Sequence, residues 1–400
     1  MKSDCSDFQN KVDALTSQLL HTDQINIMDG LVQDMWQLVR SAQHQGVLYC
    51  FPTQQKELLI HMYQVYLDFS CKSKNVQDQR IVLDPRVNPV YTSLDIYPYR
   101  ITWAMGRDVR EGINPMSVDE IGKEPEHDFI FKESVTSRYE TSYMFSKNLE
   151  HKFIFFPILL NNQIYLWRPN KYPQVYSALL LLAYDQGRQA QFMTKSHLKN
   201  IIYLMQSMNL IGGFNTMVRG GGSVNDFHMQ FFLPDFMPQE LLHPQGYSDV
   251  RMPIEYYFER SVKLWSNDQL QINYYAAHEA MTGFEFSGIN NKLIEIIMNL
   301  IDVFHQYNIF YNMIFYPNKI SLFLVHPSKG PLKGFEFPGW LERLGILIAS
   351  TEAQFNFLKS KAHINQVLQR VRYPEESILV DGIRYPAYQE IVSSVTQILS

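Results

Sequence analysis

In the run 224–232 an imidazole and a carboxamide stand two residues apart, His228 and Gln230. If that run is a strand, residues two apart point to the same face and these two groups project side by side. A glycine-rich turn precedes them, Gly220-Gly221-Gly222, with the cation Arg219 just before it and Ser223 and Asp226 just after. Asn215 stands a little upstream. A neutral imidazole is a competent nucleophile near pH 7. Backbone N–H groups and polar side chains beside it can hold the charge that develops on phosphate oxygens. The residue types and their spacing therefore fit nucleophilic attack on phosphorus. Taken singly they mean less: a lone strand histidine is usually structural, and a glycine triplet is usually a turn.

The neighbouring sequence supplies the elements that would position this stretch. Residues 152–160 and 164–167 read as two strands joined by an Asn161-Asn162 turn, a hairpin pattern. A loop follows, with Arg168 and Lys171 as candidate phosphate contacts, and then a buried strand at 178–182. Thr194 caps a helix over 194–208 whose apolar face is Leu198, Ile201, Ile202 and Met205. Strands at 214–218 and 224–232 complete the unit. This order of elements predicts an α+β fold built on an antiparallel sheet.

Further along, a helix over 290–306, strands at 309–315 and 320–325, another at 344–349 and a helix over 354–369 suggest a second copy of the same kind of unit. Upstream, 7–48 reads as helical, and Thr53 is a plausible cap for a second helix whose stripe is Leu58, Leu59, Met62, Val65, Tyr66 and Phe69. Residues 72–148 are broken by prolines; short strands at 81–83 and 99–103 and an exposed, mobile acidic loop at 119–128 are expected there. The chain divides on this reading into a helical region (1–75), a catalytic half (76–250) and a degenerate second half (251–400).

Composition sets limits. Of 400 residues, 46% are hydrophobic and 14% aromatic, which provides for a packed core and argues against disorder. The net charge of −5 without a basic block makes nucleic acid an unfavourable partner. The three cysteines, Cys5, Cys50 and Cys71, form no C-x-x-C, so a zinc ribbon is excluded and no metal is expected. The first residues lack the apolar core of a secretory signal, and the apolar runs at 153–160 and 178–183 fall well short of the roughly 20 residues that cross a bilayer. A cytoplasmic protein without membrane contact is the expectation.

With that context, the block from Asn215 through Ser223-Val224-Asn225-Asp226-Phe227-His228-Met229-Gln230 resembles the histidine-triad (HIT) superfamily, in its H-x-H-x-Q nucleotidyltransferase and phosphorylase branch. The nearest likeness is to GDP-L-galactose (GDP-glucose) phosphorylases. Arg168-Pro169-Asn170-Lys171-Tyr172-Pro173, Tyr311-Asn312-Met313-Ile314 and Leu322-Phe323-Leu324-Val325 resemble other parts of those enzymes, over roughly residues 150–376. The resemblance implies a HIT-like sheet in two related halves and an enzyme acting on a nucleoside diphosphate sugar, with phosphate as acceptor and no cofactor. His228 matches the motif histidine that forms a nucleotidyl-histidine, and Gln230 the glutamine that binds the phosphate. Asn215 and Ser223 match polar phosphate-contacting positions. Asp226 replaces the first motif histidine. It sets a negative charge near an anionic substrate, at about 1–4 kcal/mol in a partly wet site, which Arg219 can offset. Two alternatives stay open: transfer to another acceptor or hydrolysis, and a catalytically weakened nucleotide-binding or interaction protein. In each, the N-terminal helices offer a surface for a protein partner or a homodimer.

Overall fold

The computed structural model describes residues 5–72, 91–96, 99–104, 121–123, 154–170, 178–184, 191–217, 220–222, 227–232, 260–275, 281–288, 290–307, 309–316, 318–380 and 382–399. Three helices come first: α1 (Cys5–Leu20), α2 (Ile25–His44) and α3 (Gln55–Lys72), with the short strand β1 (Tyr49–Cys50) between the last two. Thr53 does not cap α3 with its side chain. Its N–H and hydroxyl both donate to Asp13 Oδ1, at 3.0 and 2.8 Å, and so tie the start of α3 back to α1.

A first sheet unit follows: β4 (Phe156–Leu160), β5 (Gln163–Pro169) and β6 (Leu179–Tyr184) as a meander, then α4 (Lys195–Met208), then β7 (Ile211–Asn215) and β8 (His228–Phe232). The Asn161-Asn162 turn has φ of 49° and 62°, the left-handed pair that a two-residue hairpin requires and that asparagine tolerates. Thr194 caps α4 as expected, its hydroxyl accepting the His197 N–H at 3.1 Å.

The second unit repeats the sequence of elements. A meander of β9 (Val262–Ser266), β10 (Gln271–Tyr274) and β11 (Gly283–Ser287) leads to α5 (Asn291–Gln306), then β12 (Tyr311–Phe315) and β13 (Lys319–Leu324). In space the strands run β1-β4-β5-β6-β8-β7-β12-β13-β11-β10-β9, one 11-stranded sheet antiparallel at every pairing. The second half of that order mirrors the first around the β7–β12 pair, where Asn215 lies opposite Asn312. The α+β expectation with two related halves holds. The second meander lies upstream of 290, where no strands were expected.

Three expectations change. The strand near 344–349 is β14 (Ile346–Ala349). It does not join the main sheet but pairs in parallel with β3 (Tyr99–Ala104), which in turn pairs with β2 (Tyr91–Ile96) in a separate three-stranded sheet. The helix over 354–369 is two: after the short α6 (Trp340–Leu344) and β14 come α7 (Glu352–Phe357) and α8 (Lys361–Arg370). A small hairpin, β15 (Ile378–Val380) and β16 (Ile383–Tyr385), and α9 (Tyr388–Leu399) complete the elements. In the acidic stretch 119–128, Ile121 and Gly122 are buried, and backbone bonds of 3.0 and 2.9 Å pin 122–123 to Lys333; the rest of it, and 81–83, lie outside the described residues.

Both faces of the sheet are covered. Directly paired residues of antiparallel strands share a face. One face carries Trp167, Phe227, Met229 and Phe231 and packs on α4 and α5: His197 of α4 stacks on Phe227 with centroids 3.7 Å apart. The other face carries Leu182, His228, Gln230 and Phe232. Over β4–β6 it is covered by α2 and α3, where Trp36 meets Tyr184 edge-on at 4.6 Å and Tyr66 meets Phe155 at 4.8 Å. Over β7, β12 and β13 a second apolar cluster covers it, joining Phe232, Ile314 and Phe323 to Ile101, Trp340, Leu344 and Leu347. β8 lies where one cover gives way to the other.

Candidate active site

His228 opens β8 and is buried, 7% exposed. The β7–β8 ladder ends at the Gly213–Gln230 pair, and past it a side chain is wedged between the strands. The Gln191 carboxamide oxygen accepts the His228 N–H at 2.8 Å, and its NH2 group donates to the carbonyls of His228 and Asn215, each at 3.0 Å. One buried side chain thus satisfies three backbone groups and fixes the spacing of the two strand ends. Gln191 was not singled out in the sequence, and no local motif marks it.

Gln230 projects from the same face as His228, two residues on. Its Oε1 accepts the indole Nε1–H of Trp340 at 2.7 Å. The indole lies against Gly213, the cross-strand partner of Gln230; a Cβ there would come within 2.0 Å of the ring. It also stacks on Phe232, centroids 5.8 Å apart and planes at 18°. A glycine in a strand often marks such a close approach, so Gly212-Gly213 was a readable signal, although nothing near it points to residue 340.

Asn215 is tied into the second unit. Its Oδ1 accepts from Asn312 Nδ2 and from the backbone N–H of Trp340, both at 2.8 Å, and so caps α6 from another element. Asn312 Nδ2 donates also to the Gly220 carbonyl. The glycine triplet folds back here. Gly222 N–H bonds Thr216 O at 3.1 Å, and a Cβ on Gly220 would sit 2.3 Å from Thr216 Oγ1. Gly221 has φ +82° and its Cβ position lies 3.0 Å from Gly339 Cα, beneath the segment that leads into α6.

Arg168 stands in β5 rather than in a loop. Through Leu180 it shares a transverse row with Gln230 on the same face, two strands away, or about 10 Å at ordinary strand spacing. Burial draws its guanidinium down to about 10, with Tyr66 of α3 opposing, so it remains a cation at neutral pH. Lys171, Arg219, Ser223 and Asp226 lie outside the described residues. The structure therefore brings together His228, Gln230, Asn215, Gly220, Gly221, Gly222 and Arg168, and adds Gln191, Asn312 and Trp340. Among the described residues there is no cluster of histidine, cysteine or carboxylate side chains suited to a metal ion, and no helix long and apolar enough to cross a membrane.

No protein-family model and no curated protein matches the chain. Solved structures are similar to it at low identity. Yeast Ap4A phosphorylase Apa2 in complex with Ap4A is 11% identical over 80% of this chain and 97% of that one, with a TM-score of 0.47. The same enzyme with AMP is 13% identical over 78% and 94%, with a TM-score of 0.45. A DUF4931 family protein from Bacillus cereus is 13% identical over 59% and 96%, with a TM-score of 0.31.

Proposed function

We propose that the chain is a nucleotidyltransferase that works through a covalent His228 intermediate, with a nucleoside diphosphate hexose as donor and inorganic phosphate as acceptor. The observation that carries this reading is the placement of His228 and Gln230 side by side on one face of β8, with the Gln230 carboxamide oxygen already occupied by Trp340. An unprotonated ring nitrogen attacks the α-phosphorus. The bond from that phosphorus to the bridging oxygen breaks, and hexose 1-phosphate leaves with the electron pair. A phosphate oxygen then attacks the same phosphorus, the P–N bond breaks, and the imidazole is released together with a nucleoside diphosphate. Splitting one displacement into two in this way is ordinary covalent catalysis.

The other residues have assigned parts in this reading. Gln230 donates to a non-bridging oxygen of the transferring group. Arg168 and Arg219 supply positive charge, with Lys171 as a further phosphate contact. Ser223 is assigned a phosphate contact next to the glycine turn. Asn215 acts through the geometry of the glycine turn and α6. Asp226 sits two residues before the nucleophile and biases its ring. The guanine base and the hexose come from the sequence resemblance alone, so the substrate test must include other donors.

Purified protein is given GDP-glucose, ADP-glucose, UDP-glucose and Ap4A, each with and without phosphate, and nucleotide products are resolved by ion-exchange chromatography. The expected result is phosphate-dependent formation of GDP and glucose 1-phosphate, with Asp226→His faster than wild type. Turnover of Ap4A alone would move the donor class away from sugars. Absence of any turnover across the panel would contradict the enzyme reading.

A further inference from the structure

We infer that Trp340 is a positioning residue that sets which end of the Gln230 carboxamide meets the substrate, an inference that rests on the nucleotidyl-transfer reading of this site. An amide side chain offers an acceptor at one end and donors at the other, and the two ends are nearly the same shape. An indole N–H only donates, so the atom of Gln230 2.7 Å from Trp340 Nε1 is the oxygen. The NH2 group is left as the end presented away from Trp340. A donor is what an anionic phosphoryl oxygen needs; the opposite orientation would turn a carbonyl dipole against it.

The indole is itself held on three sides. Gly213, opposite Gln230 in the ladder, leaves the space the ring fills, and Phe232 stacks beneath it. The Trp340 backbone N–H donates to Asn215 Oδ1, which also takes the Asn312 amide, and Asn312 reaches the Gly220 carbonyl. Hydrogen bonds linked through the body of Trp340 therefore join the glycine turn to Gln230 by way of β12, β7 and α6. The second unit, which carries no histidine on the strand equivalent to β8, contributes to the site through Asn312, and α6 through Trp340.

The test uses Trp340→Phe, which keeps a ring over Gly213 and Phe232 but lacks the N–H, together with Gln230→Leu and the double variant. Two quantities are read: the rate of nucleotidyl transfer from GDP-glucose, and equilibrium binding of GMP and AMP. Trp340→Phe should slow transfer 10- to 100-fold with KM changed less than threefold, and weaken monophosphate binding. In the Gln230→Leu background it should have no further effect, because there is no carboxamide left to orient. A purely structural role would instead add its effect in the double variant, and that result, or a Trp340→Phe protein equal to wild type, overturns the inference. If wild type binds GMP or AMP without transferring a nucleotidyl group, and Trp340→Phe weakens that binding only when Gln230 is present, the inference stands and the covalent reading fails. If wild type binds neither nucleotide, both fall. Should Trp340→Phe not fold, the indole N–H resonance of wild type decides: it should exchange slowly and move on Gln230→Leu, and indifference to that change overturns the proposal.

Discussion

At the scale of single residues, Gln191 shows how a side chain outside any motif fixes the backbone at His228. It satisfies the N–H and carbonyl of His228 and the carbonyl of Asn215 at a point where the strands have parted. Gln191→Leu leaves those buried groups unpaired, at about 1–3 kcal/mol for each group that water does not reach. The expected outcome is a loss of about 3 kcal/mol in urea unfolding and a drop in transfer rate larger than the stability change alone explains. His228 and Gln230 were legible because strand period two puts them on one face without any tertiary knowledge. Trp340 and Asn312 were not, because each meets the site from about a hundred residues away, through pairings that no local spacing encodes. The packing role of the glycine turn is not legible in the sequence: a Cβ on Gly220 or Gly222 would collide with Thr216.

At the scale of elements, α4 anchors the opposite face beneath β8 through His197, which is buried between Phe227 and Tyr165, its Nδ1 lying 2.8 Å from the Tyr165 hydroxyl. Burial pulls this imidazole down from 6.5 to about 4. A folded value below the unfolded one means that unfolding takes up a proton in between. The stabilising contribution is therefore complete above pH 6.5 and is lost as pH falls towards 4, by about 3 kcal/mol. Chemical unfolding of His197→Gln from pH 4 to 7 should show a correspondingly flatter pH dependence than wild type, and equal slopes would show that His197 is not the group responsible. Amphipathic helices such as α4 and α5 are legible from their apolar spacing, and α4 also from its cap Thr194; the structure adds Asn290 as the cap of α5, accepting the Leu293 N–H. The second meander was not. β9 is a half-exposed edge strand of five residues that includes Lys263, and β10 has only four, so neither gives a clear alternating pattern. β14 is legible as a strand near 344–349, but its place outside the main sheet is not, because its partner β3 lies more than two hundred residues upstream and pairs in parallel.

At the scale of the whole molecule, two units of like topology share one sheet, yet they are chemically unequal. On the site face, β8 carries His228 and Gln230, while its counterpart β13 carries Ser321 and Phe323, both fully buried. One nucleophile per chain is therefore expected, with the second unit serving as a wall and a set of tethers for the first. The most direct measurement is to incubate the protein with GDP-glucose labelled in the α-phosphate, without inorganic phosphate, and to locate and count the label by peptide mass spectrometry. The expected result is an acid-labile adduct on His228, approaching one per chain, removed by added phosphate and absent from His228→Ala. Label at another residue, two labels per chain, or turnover of GDP-glucose by His228→Ala at the wild-type rate would contradict it.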